Sequence, residues 1–104
     1  TDRDKALLLV MLDTGARSAE VVNMDVADVS ITDGAIIIRE GKPRRDRTAY
    51  ISPRTRKALL RYIKAGKLET GALWLSEKGA NRLTESGLGQ VTQNVRYHHV
   101  TGRG

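Results

Sequence analysis

The chain contains no cysteine and no phenylalanine, and only two prolines, two histidines and one tryptophan. Without cysteine there is neither a disulfide frame nor a thiolate metal site. His98 and His99 are adjacent, a spacing that cannot put two ligands on one helix face, so no metal site is expected. With three Tyr as the other aromatics, the core must be mostly aliphatic. The longest apolar run, Ala6 to Leu12, falls far short of the roughly 20 residues that span a bilayer, so no membrane partner is expected. No signal-peptide pattern precedes it. There is no P-loop or dinucleotide fingerprint, and both histidines lie in a polar tail where a Ser-His-Asp set has no place, so no cofactor is expected. Asp2 with Asp4, and Asp25 with Asp28, are explained by capping and turn roles rather than by a metal. The chain begins at Thr1 rather than Met and reads as a piece of a longer, soluble cytoplasmic protein.

What is present is a basic chain with one feature of distribution. The 104 residues suffice for one small domain, and the formal net charge is +6. Residues 1–34 carry three Lys/Arg against seven Asp/Glu, a net of −4. Residues 35–67 carry eleven against two, a net of +9, and residues 68–104 carry four against three. The positive charge therefore forms one central block, the electrostatic footprint of a nucleic-acid binder. A solvated basic surface with no partner would produce the same block.

The pattern predicts helices around a small sheet. A first helix is expected over Asp2–Asp13, capped by Thr1 with Asp4 at its third position and stopped by Gly15. Its run Leu7–Leu12 covers every face, so burial against more than one neighbour is expected. A short helix follows over Arg17–Asn23, burying Val21 and Val22. Asp28–Ile31 extends briefly, and Asp33-Gly34 is a turn signal. Ala35–Glu40 and Arg47–Ser52 read as an antiparallel hairpin, with Gly41-Lys42-Pro43-Arg44-Arg45-Asp46 as its loop. Ser52-Pro53 opens a helix with Ala58, Leu59, Tyr62 and Ile63 on its apolar face, which Gly66 ends. Ala72–Ser76 reads as a short buried strand. Thr84 caps a last helix that carries Leu88, Val91 and Val95 on one face and is weakened by Gly87 and Gly89. The tail Thr101–Gly104 is expected to fray. The order predicts an α+β fold, helices packed on a small antiparallel hairpin sheet.

The most informative stretch is Thr14-Gly15-Ala16-Arg17-Ser18-Ala19-Glu20. An arginine at a helix start is disfavoured by the helix dipole unless it faces an anion such as a phosphate. The alternative is a modest surface pair between Arg17 and Glu20, one turn apart. Lys42 in the hairpin loop is either solvated or a flexible ammonium able to protonate a leaving oxygen.

Taken together, these segments resemble the tyrosine recombinases, or phage integrases. Arg3–Leu9 running into Asp13–Glu20 looks like that family's first catalytic box. Asp25–Val29 with Gly34–Ile36 resembles its approach to the sheet. Gly41-Lys42 with Arg47-Thr48 and Ser52–Thr55 resembles its catalytic-lysine hairpin and the helix after it. Leu73–Ser76 and Arg82–Thr84 match weaker landmarks. The likeness runs to about Gln93, and the order and spacing make it specific.

The resemblance implies metal-free phosphoryl transfer on double-stranded DNA through a covalent 3′-phosphotyrosine, in a protein that self-associates on DNA at the nucleoid. It implies catalytic roles for Arg17 and Lys42 and a supporting role for Glu20. Arg39, Arg44, Arg45 and Arg47 are expected to contact DNA around the hairpin, with salt-sensitive affinity. Two positions depart from the family. Pro43 stands where glycine usually follows the lysine, which stiffens or re-aims the loop. Tyr50 stands where proline is frequent, and as a strand residue it is expected to pack.

The family's second box, His-x-x-Arg, is not found: Thr101 lies three residues after His98, and Gly102 three after His99. Tyr97 lies too early to be the nucleophile, and Tyr50 and Tyr62 belong to a strand and a helix. The expectation is therefore a partial catalytic domain, residues 1–104, without the second box, the nucleophile or an N-terminal DNA-clamp domain, and inactive alone. The alternatives are a non-catalytic DNA- or RNA-binding module with a basic hairpin, or a protein-interaction domain.

Overall fold

The computed structural model describes residues 1–39, 46–79 and 81–101, with side chains as far as residue 93. Helix α1 spans Asp2–Thr14, and Thr1 caps it by accepting from the Asp4 N–H at 3.1 Å. Gly15 ends α1 in the left-handed region that glycine tolerates (φ 65°). The all-round apolar run is not engulfed as its sequence suggests. Ala6, Leu7 and Val10 are buried, whereas Leu12 is 80% exposed. A helix lying against a single core buries one stripe, and Leu12 falls outside it.

Three short strands form an antiparallel sheet in chain order: β1 (Val29–Ser30), β2 (Ala35–Ile38) and β3 (Arg47–Tyr50). The brief extension expected near Asp28–Ile31 is thus a third strand, paired Val29 to Ile36. Strand β2 pairs with β3 from Ala35–Tyr50 to Ile38–Arg47. Alternation sends Ile36 and Ile38 into the core and leaves Ile37 outward. Gly34, in the β1–β2 turn, is required by its φ of +67°, and a Cβ there would also crowd the flexible end of the Arg56 side chain.

Helix α3 (Pro53–Gly66) begins as its sequence predicts, with the Ser52 hydroxyl accepting from the Thr55 N–H at 3.3 Å. It packs on α1 and buries Thr55, Leu59 and Tyr62. The Asp13 carboxylate accepts from the Ser52 N–H at 2.8 Å, which ties the end of α1 to the start of α3. Hydrogen bonds from Thr55 and Ser52 hold the Asp13 carboxyl below the usual carboxylate range. The end of α3 differs from expectation. Gly66 stays helical and Lys67 takes the left-handed position (φ 52°). Leu68 folds back, donating to the Ile63 carbonyl at 3.0 Å, and its side chain occupies the space beside Gly66. The glycine is used for room, not for its φ.

Ala72–Ser76 is not a sheet strand. It makes two isolated bridges, Asp25 to Ala72 and Leu75 to Arg82. It remains central to the core, with Leu73 and Trp74 fully buried. Trp74 stacks on Tyr62 with ring centroids 5.3 Å apart. The Tyr62 hydroxyl donates to the Leu73 carbonyl at 2.8 Å and accepts from the Leu75 N–H at 3.2 Å. Helix α4 spans Glu85–Thr101, with Thr84 accepting from the Gly87 N–H at 3.0 Å. Leu88 and Val91 are buried as expected. The fold is α+β, helices against a small antiparallel sheet.

Candidate functional site

Helix α2 is only five residues, Ser18–Val22, and a helix of that length is held by its surroundings. At its start, the Arg17 N–H donates to Glu20 Oε1 at 2.8 Å. This is half of a capping box. The other half needs an acceptor on residue 17, and a guanidinium has none. The Arg17 side chain is exposed and makes no hydrogen bond or ion pair with any described residue. The side-chain pair between Arg17 and Glu20 that the spacing allows is not formed.

Glu20 is instead occupied from two other directions. It is 9% exposed, and Arg47 Nη1 lies 3.2 Å from its Oε2. The Arg17 N–H, followed by the Arg47 hydrogen bond and the nearby arginine charges, holds the Glu20 carboxyl below its ordinary range, against the opposing effect of burial. Glu20 is therefore an anion at neutral pH, bonded to the main chain of Arg17 and not to its side chain.

The other end of α2 is fixed by two arginines distant in sequence. Arg82 Nη1 donates to the Val22 and Met24 carbonyls at 2.9 and 3.2 Å, and its Nη2 meets Asp25 Oδ1 at 2.6 Å. Arg39 Nη2 donates to the Asn23 carbonyl at 3.0 Å and lies 2.9 Å from both Asp25 Oδ2 and Asp28 Oδ2. Asp28 also caps the Val26–Asp28 3₁₀ turn by accepting from the Asp25 N–H at 3.0 Å. The Arg82 hydrogen bond leads the effects that lower the Asp25 carboxyl, and Asp25 leads those that raise Arg39.

The structure thus brings together Arg17, Glu20 and Arg47 at one end of α2, and Arg39, Asp25, Asp28 and Arg82 at the other. Arg39 and Arg47, expected at DNA, each meet carboxylates. Arg39 follows β2 and Arg47 opens β3, so Arg47 meets α2 at Glu20 and Arg39 meets the residues just after it. Lys42, Pro43, Arg44 and Arg45 lie outside the described residues, as do the side chains of Tyr97, His98 and His99. Tyr50 does not pack as expected: it is 71% exposed on the outer sheet face. Tyr62 is a core residue, and burial pushes its phenol up. Among the described residues no cluster of acidic or histidine side chains fits a metal. No helix of the described residues is long and apolar enough to cross a membrane. The Arg82–Asp25 bond was not legible beforehand. Arg82 carries no local pattern, and only its place beside Leu83-Thr84 marked it.

The profile of the phage integrase family matches residues 1–100. This chain belongs to that family. Members similar to it include a putative integrase/recombinase of Sinorhizobium fredii, 36% identical over 79% of this chain and 28% of that protein. The tyrosine recombinase XerA of Pyrococcus horikoshii is 35% identical over 77% of this chain and 28% of its own length. A crystal structure of XerA recombinase superposes with a TM-score of 0.76 at 25% identity, covering 86% of this chain and 33% of that one. This integrase-family chain spans about a third of the length of the relatives it matches.

Proposed function

We propose that this chain is the first part of the catalytic domain of a tyrosine-type site-specific recombinase acting on double-stranded DNA. The supporting observation is the Arg17 guanidinium: it is exposed and has no partner among the described residues, while the buried Glu20 carboxylate is bonded by the Arg17 N–H and by Arg47. An arginine in that state is available to an external anion. Its planar fork matches two phosphate oxygens. Glu20 is the positioning residue, because its bond to the Arg17 main chain fixes where the side chain departs.

The chemistry follows from the phosphodiester. A tyrosine oxygen attacks phosphorus, a bond to the 3′-phosphate forms, and the bond to the 5′-oxygen breaks. Arg17 neutralises the non-bridging oxygens as charge builds on them. Lys42 donates a proton to the departing 5′-oxygen. Rejoining to a different strand runs the same steps backwards. The nucleophile and the His-x-x-Arg box come from elsewhere in the parent protein, since Tyr62 is locked in the core and Tyr50 stands on the sheet. The parent self-associates on DNA in the cytoplasm, at the nucleoid.

The test is a nicked suicide substrate. The parent is expected to form a covalent protein–DNA adduct, and this chain alone none. An adduct with this chain, or none with the parent, overturns the reading.

A further inference from the structure

Five cations surround a shallow groove of about 540 Å³ between α1 and α3: Lys5, Arg54, Lys57, Arg61 and Lys64, with Asp2 the one carboxylate at its edge. All five are exposed, and none makes a hydrogen bond or ion pair with a described residue. Helix α3 itself contains no acidic residue. Four of the cations follow helical spacing along one face, opposite the buried Thr55, Leu59 and Tyr62. Like charges three and four residues apart repel, and Arg54 sits in the first turn, where the helix dipole disfavours a cation. The arrangement costs stability in the free protein and gains it back only against a polyanion.

We propose that this groove is a second DNA-backbone track, separate from the hairpin, that holds duplex flanking the reactive phosphate. It rests on the reading of DNA as substrate. From Arg54 to Lys64 the helix rises roughly 15 Å, and that length of duplex axis carries about four phosphates per strand. Four side chains thus meet about four charges. The row also begins at the right end of the molecule. Ser52, two residues before Arg54, is bonded to Asp13, and Asp13 leads through Gly15 to Arg17. An acidic protein segment would satisfy the charge but not this regular spacing.

The experiment titrates a labelled random-sequence duplex with this chain across a KCl series. The Arg54→Gln, Lys57→Gln, Arg61→Gln, Lys64→Gln variant is expected to bind roughly tenfold or more weakly at the lowest salt. The slope of log affinity against log salt should flatten by about 3–4, against about 1 for Arg17→Gln. The pair Lys57→Gln, Arg61→Gln, which keeps Arg54 and Lys64 and leaves the buried face of α3 untouched, should flatten it by about 2. Duplex binding with an unchanged slope in both variants overturns the track and leaves the catalytic reading standing. Binding of polyglutamate in place of duplex also overturns it, as does failure of the unaltered chain to bind duplex, while adduct formation by the parent judges the catalytic reading independently.

Discussion

The hairpin base and the α3 face draw their cations from the same basic block, yet they are in opposite electrostatic states. Arg39 and Arg47 at the hairpin base are engaged with Asp25, Asp28 and Glu20, all from the acidic first third of the chain. Among the described residues, the groove cations along α3 have no such partners. Charge counted along the sequence says where cations are made, and the fold decides which of them stay available. At the hairpin base the arginines work as struts for a five-residue helix. On α3 they stand exposed to solvent.

The comparison breaks first at Lys42, where the largest effect is expected. In the parent, Lys42→Ala should slow strand cleavage by about 10²–10⁴-fold, as loss of a general acid does. A substrate with sulfur in place of the departing 5′-oxygen needs no proton and should restore most of the rate. Equal slowing on both substrates would remove Lys42 from that role.

The struts come next. Arg82→Ala frees the Val22 and Met24 carbonyls and one side of Asp25, and should cost about 1–2 kcal/mol in urea unfolding, a figure already reduced for solvent screening. Its duplex salt slope should stay put. A variant of unchanged stability but weaker salt dependence would make Arg82 a DNA contact and erase the contrast.

Glu20 sharpens the comparison through pH. Its carboxyl lies lower in the folded chain than in the unfolded one. The stabilisation is present above the unfolded value and is lost as pH falls through the folded one, because the unfolded state binds the proton first. Asp13 and Asp25 add in the same direction. Glu20→Gln should therefore flatten the acid limb of the stability–pH curve and leave the neutral plateau lower, by about 1 kcal/mol. An acid limb as steep as before would show that Glu20 is not held as described. The smallest effect belongs to α3, where Lys57→Gln, Arg61→Gln should leave the unfolding free energy in urea titrations unchanged or raise it by about a few tenths of a kcal/mol.

Much of the fold was legible because its signals are local. Thr1, Ser52 and Thr84 each cap the helix they precede, and the β-branched run Ala35–Ile38 marked a strand, although only packing decided that Ile36 and Ile38 face inward. Arg17 and Glu20 were legible through spacing, although the bond between them runs through the main chain. What escaped depends on packing. Leu12 looks like core until α1 has only one face to bury. Ala72–Ser76 has strand composition but meets its neighbours one residue at a time. Gly66 has the composition of a helix stop, yet the left-handed φ falls on Lys67 because Leu68 needs the space. The Arg39–Asp25–Arg82 network joins residues too far apart for any periodicity to link them.

The central claim is that the exposed Arg17 guanidinium, without a partner among the described residues, holds the reactive phosphate. The direct measurement is single-turnover adduct formation by the parent on a suicide substrate, with Arg17 intact and as Arg17→Ala, at DNA concentrations that saturate both. The account predicts a loss of about 10²–10³-fold in the adduct rate with stable binding retained. Adduct formation by Arg17→Ala at the unaltered rate would contradict it.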